Sequence, residues 1–155
     1  MGASFLILCI NACKTQNKVS DNTDNIFLEN AQDNTKVDLA LVEKYWQLIE
    51  LYGNPIIAGE NIDKMPHIIL KMDGNRFNGN TGCNRIVGTY QTKAPDRIKF
   101  SETVSTKMMC LNMETETKFL QVLEAADSYI AKNDTLMLNR ARMAPLARFV
   151  AVYLR

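Results

Sequence analysis

The stretch NTGCNRIVGTY, residues 80–90, holds a cysteine in the setting that most resembles reactive chemistry in this chain. Cys83 lies between Gly82 and Asn84, and four roles fit its side chain: nucleophile, metal ligand, half of a disulfide, or small buried hydrophobe. A nucleophile needs a base, and His67 is the single histidine available. No third group is indicated to orient that imidazole, so a Cys83–His67 dyad rests on residue type alone. A metal role has its own cluster. The run KMMCLNM, residues 107–113, sets Met108, Met109 and Met113 around Cys110, and soft sulfur ligands select Cu(I). Against it, methionine is the ordinary gap-filler of cores, and consecutive side chains seldom point at one ion. No Walker loop, G-x-S-x-G or H-E-x-x-H accompanies these residues. The sequence therefore assigns no catalytic residue, no cofactor and no metal site beyond that weak methionine–cysteine set. The expectation is a protein that is not an enzyme.

A chain of 155 residues has room for one ordinary domain, or a domain with a tail. Apolar residues make up 46% and charged residues 23%, enough for a packed core under a solvated surface. A formal charge of +1 provides no basic field for a nucleic-acid partner. The spacing of Cys9, Cys13, Cys83 and Cys110 matches no zinc pattern.

Composition splits the chain. Residues 5–10 are a short apolar run, residues 14–38 are rich in Asn, Asp, Thr and Gln, and apolar patterning is continuous from Leu39. The middle stretch buries too little apolar surface to offset the entropy of ordering it, and reads as a flexible linker. Ile10-Asn11-Ala12-Cys13 resembles the lipobox that ends a bacterial lipoprotein signal peptide, with a small residue before the cysteine that takes the lipid. The apolar run ahead of it is short and has no Lys or Arg before it. This resemblance implies a signal peptide over residues 1–13, lipidation at Cys13, a tether over 14–38 and a folded domain over 39–155. It places the protein in the bacterial cell envelope, on the outer membrane, with its domain in the periplasm or at the cell surface. Membrane contact would come through the lipid, since no run of ~20 apolar residues exists to span a bilayer.

Any site must be positioned by the elements of that domain. Residues 42–52 (VEKYWQLIELY) read as a strand stopped by Gly53-Asn54-Pro55. Trp46, Leu48 and Glu50 share one face, and Tyr45, Gln47, Ile49 and Leu51 the other. Residues 54–66 read as a loop. Residues 67–72 and 76–81 flank Asp73-Gly74-Asn75, a hairpin signal because Asp and Gly tolerate the positive φ such turns demand. Residues 85–93 give the next strand, Ala94-Pro95-Asp96 a turn, residues 97–100 a short strand, and residues 101–109 a polar irregular stretch. The period then changes. Phe119, Val122, Leu123 and Ala126 fall at i, i+3, i+4 and i+7, one stripe of a helix over about 114–127. Asn112 stands as its N-cap, and Glu114 and Glu116 favour the positive end of its dipole. Residues 128–132 and 135–140 around Asn133-Asp134 predict a second hairpin, and residues 146–155 a last strand apolar on both faces. Seven or eight strands and one amphipathic helix make a β-rich α+β fold, built as a curved antiparallel sheet or small barrel. Trp46, Tyr90, Phe100, Phe119 and Phe149 suffice to fill it.

Laid out in this order, the residues resemble the META domain family, also called HslJ-like. The resemblance is carried by Trp46-x-Leu48, Asn78-Gly79, Gly82-Cys83-Asn84, Gly88-x-Tyr90, Ser105-Thr106-x-Met108-x-Cys110, Glu116 with Phe119-Leu120, and Leu136-x-Leu138. It covers roughly residues 41–140. The last strand departs: Met143-Ala144-Pro145 precede Leu146 and Phe149 where the family has a Gly-led turn and Leu-x-Phe, which leaves that strand's register open. The resemblance implies a lipocalin-like barrel topology with one helix, secreted or envelope-anchored placement, and association with stress or resistance. In an oxidising compartment, with Cys13 lipidated and Cys9 cleaved away, Cys83 and Cys110 are the cysteines left to bridge. Their bond would restrict the unfolded chain by roughly 3–4 kcal/mol in the loop-entropy model. Two buried reduced thiols are the alternative. The functional expectation is a monomeric, non-enzymatic envelope lipoprotein with a stress-protective or binding role toward a protein or small molecule. The alternative is a carrier of a small ligand or of copper.

Overall fold

The computed structural model describes residues 27–29, 36–57, 64–110, 113–141 and 143–153. The first apolar run, Cys9, Cys13, Asn112 and most of the polar stretch lie outside the described residues. Within the span read as a tether, β1 (Phe27–Glu29) and β2 (Lys36–Asp38) pair antiparallel. The main sheet is built from β3 (Tyr45–Leu51), β4 (Asn54–Pro55), β5 (His67–Leu70), β6 (Arg76–Asn80), β7 (Arg85–Lys93) and β8 (Arg97–Ser105). After α1 (Glu114–Ala125) it is completed by β9 (Ser128–Lys132), β10 (Thr135–Asn139) and β11 (Ala147–Val152).

The order across the sheet is β11-β10-β9-β8-β7-β6-β5-β3-β4, and β11 returns to pair with β3. Setting aside β4, which pairs with β3 alone, the strands of this sheet close partly into an antiparallel ring, and α1 is the one α-helix among the described residues. The ring is uneven. β7 and β8 share a ladder from Ile86–Ser105 to Lys93–Arg97, whereas β8 and β9 pair at Arg97–Ser128 alone. The sheet therefore parts at one seam, and α1 links the two strands that border it.

Alternation along each strand sends one set of side chains inward. Trp46, Leu48, Ile68, Leu70, Phe77, Ile86, Tyr90, Ile98 and Phe149 are all buried there, joined by Phe119, Val122 and Leu123 from α1. Phe77 meets Phe100 edge-on at 5.2 Å, and Phe119 tilts against Phe149 at 5.8 Å, both ordinary aromatic geometries. The indole N–H of Trp46 donates to the Leu41 carbonyl at 2.7 Å, so the largest core residue leaves no polar atom unpaired. The barrel interior is filled by side chains, as expected. Asp38 fixes where the folded part begins: its carboxylate accepts the Ala40 N–H at 2.9 Å and the Tyr129 hydroxyl at 3.1 Å. Burial and that carboxylate together hold the Tyr129 hydroxyl well above its ordinary pKa.

Three expectations need correction. Leu51 was assigned the face of Ile49, yet Leu51 is buried and Ile49 exposed. Ile49 is the extra residue of a β-bulge: Leu48 faces Phe149 and Glu50 faces Arg148, which flips the alternation and returns Leu51 to the core. Residues 101–105, expected to be irregular, extend β8, because main-chain pairing with β7 holds a polar strand whose side chains face solvent. The helix ends at Ala125, with Ala126 just beyond it donating its N–H to the Val122 carbonyl at 2.9 Å. The open register of the last strand is now set by Leu138–Ala147 on one side and Phe149–Leu48 on the other.

Candidate functional site

The residues that looked reactive in the sequence come together, and they form a clamp. The turn between β6 and β7 closes on itself, with the Thr81 N–H donating to the Asn84 carbonyl at 2.8 Å and the Gly82 N–H to Asn80 Oδ1 at 2.8 Å. Gly82 sits at φ +102°, a conformation open to glycine and strained for other residues. Asn84 is the hub. Its Nδ2 donates to Glu116 Oε2 at 2.8 Å and to the Met108 carbonyl at 3.1 Å. Its Oδ1 accepts from the Thr106 hydroxyl at 2.7 Å and the Met108 N–H at 2.8 Å. An amide has two donor hydrogens and two acceptor lone pairs, so Asn84 is saturated. Glu116 also accepts from the Thr81 hydroxyl at 3.0 Å. The sequence marks it as a residue of the family resemblance and as favouring the helix dipole, with no buried role. Instead it is a buried carboxylate that ties α1 to the turn.

The disulfide Cys83–Cys110 crosses the same junction, with Cα atoms 5.9 Å apart, inside the ordinary bridging range. Both sulfurs are therefore oxidised. Cys83 has no thiolate with which to form a dyad with His67, and Cys110 offers none to a metal. His67 has a different employment: its ring stacks on Tyr45 at 4.2 Å, and Nδ1 lies 3.0 Å from the Met65 carbonyl. Burial lowers its pKa, partly opposed by that carbonyl. Met108, Met109 and Met113 are exposed, Met109 almost completely, so none of them fills the core.

The other motif residues have packing reasons too. A Cβ on Gly88 would lie 2.5 Å from the Phe77 ring and 2.8 Å from the Ser101 carbonyl, so only glycine admits the Phe77–Phe100 pair here. The Tyr90 hydroxyl donates to the Lys71 carbonyl at 2.9 Å, and burial, helped by the Glu43 charge, pushes its pKa up to about 12. Among the described residues, no buried side-chain nitrogen or oxygen lacks a partner. In the clamp, Asn84 Nδ2 and the Thr81 hydroxyl are spent on Glu116, and Asn84 Oδ1 on Thr106 and Met108.

The open chemistry lies elsewhere. At the seam where β8 and β9 part, a cleft of about 1000 Å³ runs between the β7–β8 ends and the C-terminal end of α1. Its floor is Thr92, Ile98 and Ala126, all buried, and its walls carry Lys93, Arg97, Lys99 and Arg140. The antiparallel register sets Lys93 directly opposite Arg97, and Lys99 follows two residues on, on the same strand face. Glu124 and Asp127 are the cleft's acidic groups. Asp127 is committed: it accepts the Ala141 N–H at 2.7 Å and the Ser128 hydroxyl at 3.0 Å, and faces Arg97 at 3.5 Å. Those hydrogen bonds, the Ala141 N–H first, with the Arg97 and Arg140 charges, hold its carboxyl below the usual range. Sequence reasoning missed this cleft. The one local signal was KAPDRIK, residues 93–99, three cations around a turn; Arg140 and the helix end are distant in sequence.

A family model described as META domain matches residues 38–153. No curated protein matches the chain. Among solved structures, an NMR structure of a protein from Burkholderia xenovorans is similar at TM-score 0.56 and 19% identity, covering 72% of this chain and 83% of its own. A crystal structure of a duf4847 family protein from Bacteroides vulgatus is similar at TM-score 0.54 and 18% identity, covering 71% and 93% respectively. At such identities the likeness is one of fold.

Proposed function

The chain belongs to the META domain family, and from that premise we propose that it is a non-enzymatic binding or stress-protective module of the bacterial cell envelope, anchored by lipid at Cys13. The polar stretch ahead of Asp38 forms the tether, and the domain stands in the periplasm or at the cell surface as a monomer on the outer membrane. The observation that carries the binding part is the contrast between the saturated clamp and the open cleft. A volume of about 1000 Å³ over a buried, partly apolar floor is the scale at which small molecules are held. The compartment is supported by the Cys83–Cys110 bond, which belongs to oxidising surroundings, and by the lipobox-like residues before Cys13. The cleft also favours the small-ligand carrier over the copper carrier, because Cys110 has no thiolate to give.

Intact-mass analysis of the protein recovered from bacterial membranes, under non-reducing conditions, tests this placement. The expected species begins at a diacylglyceryl-modified Cys13 and keeps the Cys83–Cys110 bond. An unmodified chain beginning at Met1 overturns the anchor.

A further inference from the structure

We propose that the seam cleft binds a small organic anion, a carboxylate or phosphate monoester carried on an apolar body; this rests on the binding reading above and names its ligand class. Four cations against two carboxylates line the cleft, and Asp127 is already engaged by Ala141, Ser128 and Arg97. The C-terminal end of α1 adds a partial negative charge of roughly half a unit, too little to balance the remainder. The arrangement of the cations is the second observation. Lys93 and Arg97 are direct cross-strand partners in β7 and β8, and like charges in that position repel. Arg97 is relieved by Asp127, whereas Lys93 and Lys99 form no ion pair among the described residues. An anion seated between Lys93, Lys99 and the guanidinium of Arg140 removes that repulsion. Charge-assisted hydrogen bonds would fix its head, and Tyr52 and Ala125, the apolar lining residues that are not buried, would receive its body. An apolar amine meets one uncommitted carboxylate, Glu124, against four cations, and an apolar alcohol gains from Tyr52 and Ala125 alone.

The test is a calorimetric titration of the purified full chain with decanoate, decyl phosphate, decanol, decyltrimethylammonium and inorganic phosphate. The expected result is saturable binding of decanoate and decyl phosphate, at least about tenfold tighter than decanol, weakening as salt rises. Which of the two anions binds more tightly then identifies the headgroup source. The double variant Lys99→Gln/Arg140→Gln, both exposed and remote from the clamp, should lose about tenfold for the anions and leave decanol unchanged. Equal affinity for decanol and decanoate overturns the anion class while leaving a binding cleft. Tighter binding of the ammonium overturns the class as well. Saturation by none of the five probes overturns the anion proposal and, with it, the assignment of binding to this cleft.

Discussion

The two regions of this domain differ in what their polar groups are for. In the clamp, Asn84 fills its four hydrogen-bonding positions with Glu116, Thr106 and both main-chain groups of Met108, and a disulfide crosses alongside. In the cleft, Lys93 and Lys99 stand exposed and pair with no carboxylate among the described residues, around a floor of buried side chains. Polar groups that complete one another hold a fold together. Polar groups that stay open can recognise something else. The residues that most resemble an active site in the sequence therefore hold the fold together, and the ones that resemble ordinary surface charge carry the proposed binding.

Substitutions should separate the regions, beginning with the largest effect. Asn84→Ala strips the buried Glu116 carboxylate and the Met108 main chain of partners at once, and should lower unfolding free energy by roughly 3 kcal/mol or more in equilibrium urea denaturation. Decanoate affinity of the folded variant should stay within about twofold, because the cleft is untouched. The pair Cys83→Ala/Cys110→Ala should cost somewhat less, about 2–4 kcal/mol, measured the same way, with the wild type in dithiothreitol as a control.

His67 supplies a smaller, pH-dependent effect. Its folded pKa lies below the ordinary 6.5, so the unfolded chain binds the proton more readily between those two values. Stability contributed by neutral His67 is complete above 6.5 and is lost as the pH falls through the folded value. Urea midpoints of the wild type should drop across that window on acidification, and His67→Gln should flatten the slope. The smallest stability change belongs to the cleft. Lys99→Gln/Arg140→Gln should shift unfolding by less than about 0.5 kcal/mol, the usual reach of exposed charges, while reducing anion affinity.

Much of the fold was legible in the sequence, for local reasons. The hairpins around Asp73-Gly74-Asn75 and Asn133-Asp134, the strand over 85–93 and the helical stripe at Phe119, Val122 and Leu123 all announce themselves through turn chemistry or period. Other features depend on partners far along the chain. The bulge at Ile49 exists because β11 pairs with β3, and strand 101–105 exists because β7 provides its ladder. The clamp was half legible: its residues were singled out by type, but the roles of Thr81 and Glu116 appear only when α1 meets the turn. The cleft was illegible because no local pattern records that β8 and β9 share a single pair of residues.

Native-state amide hydrogen exchange tests the central contrast most directly. If the motif is a clamp, the N–H groups of Gly82, Asn84 and Met108, each held by a side-chain oxygen, should exchange as slowly as the core amides of β7, through global unfolding. Rapid exchange at Asn84 and Met108 while β7 remains protected would contradict that account, and would return the motif to the list of places where this protein could act.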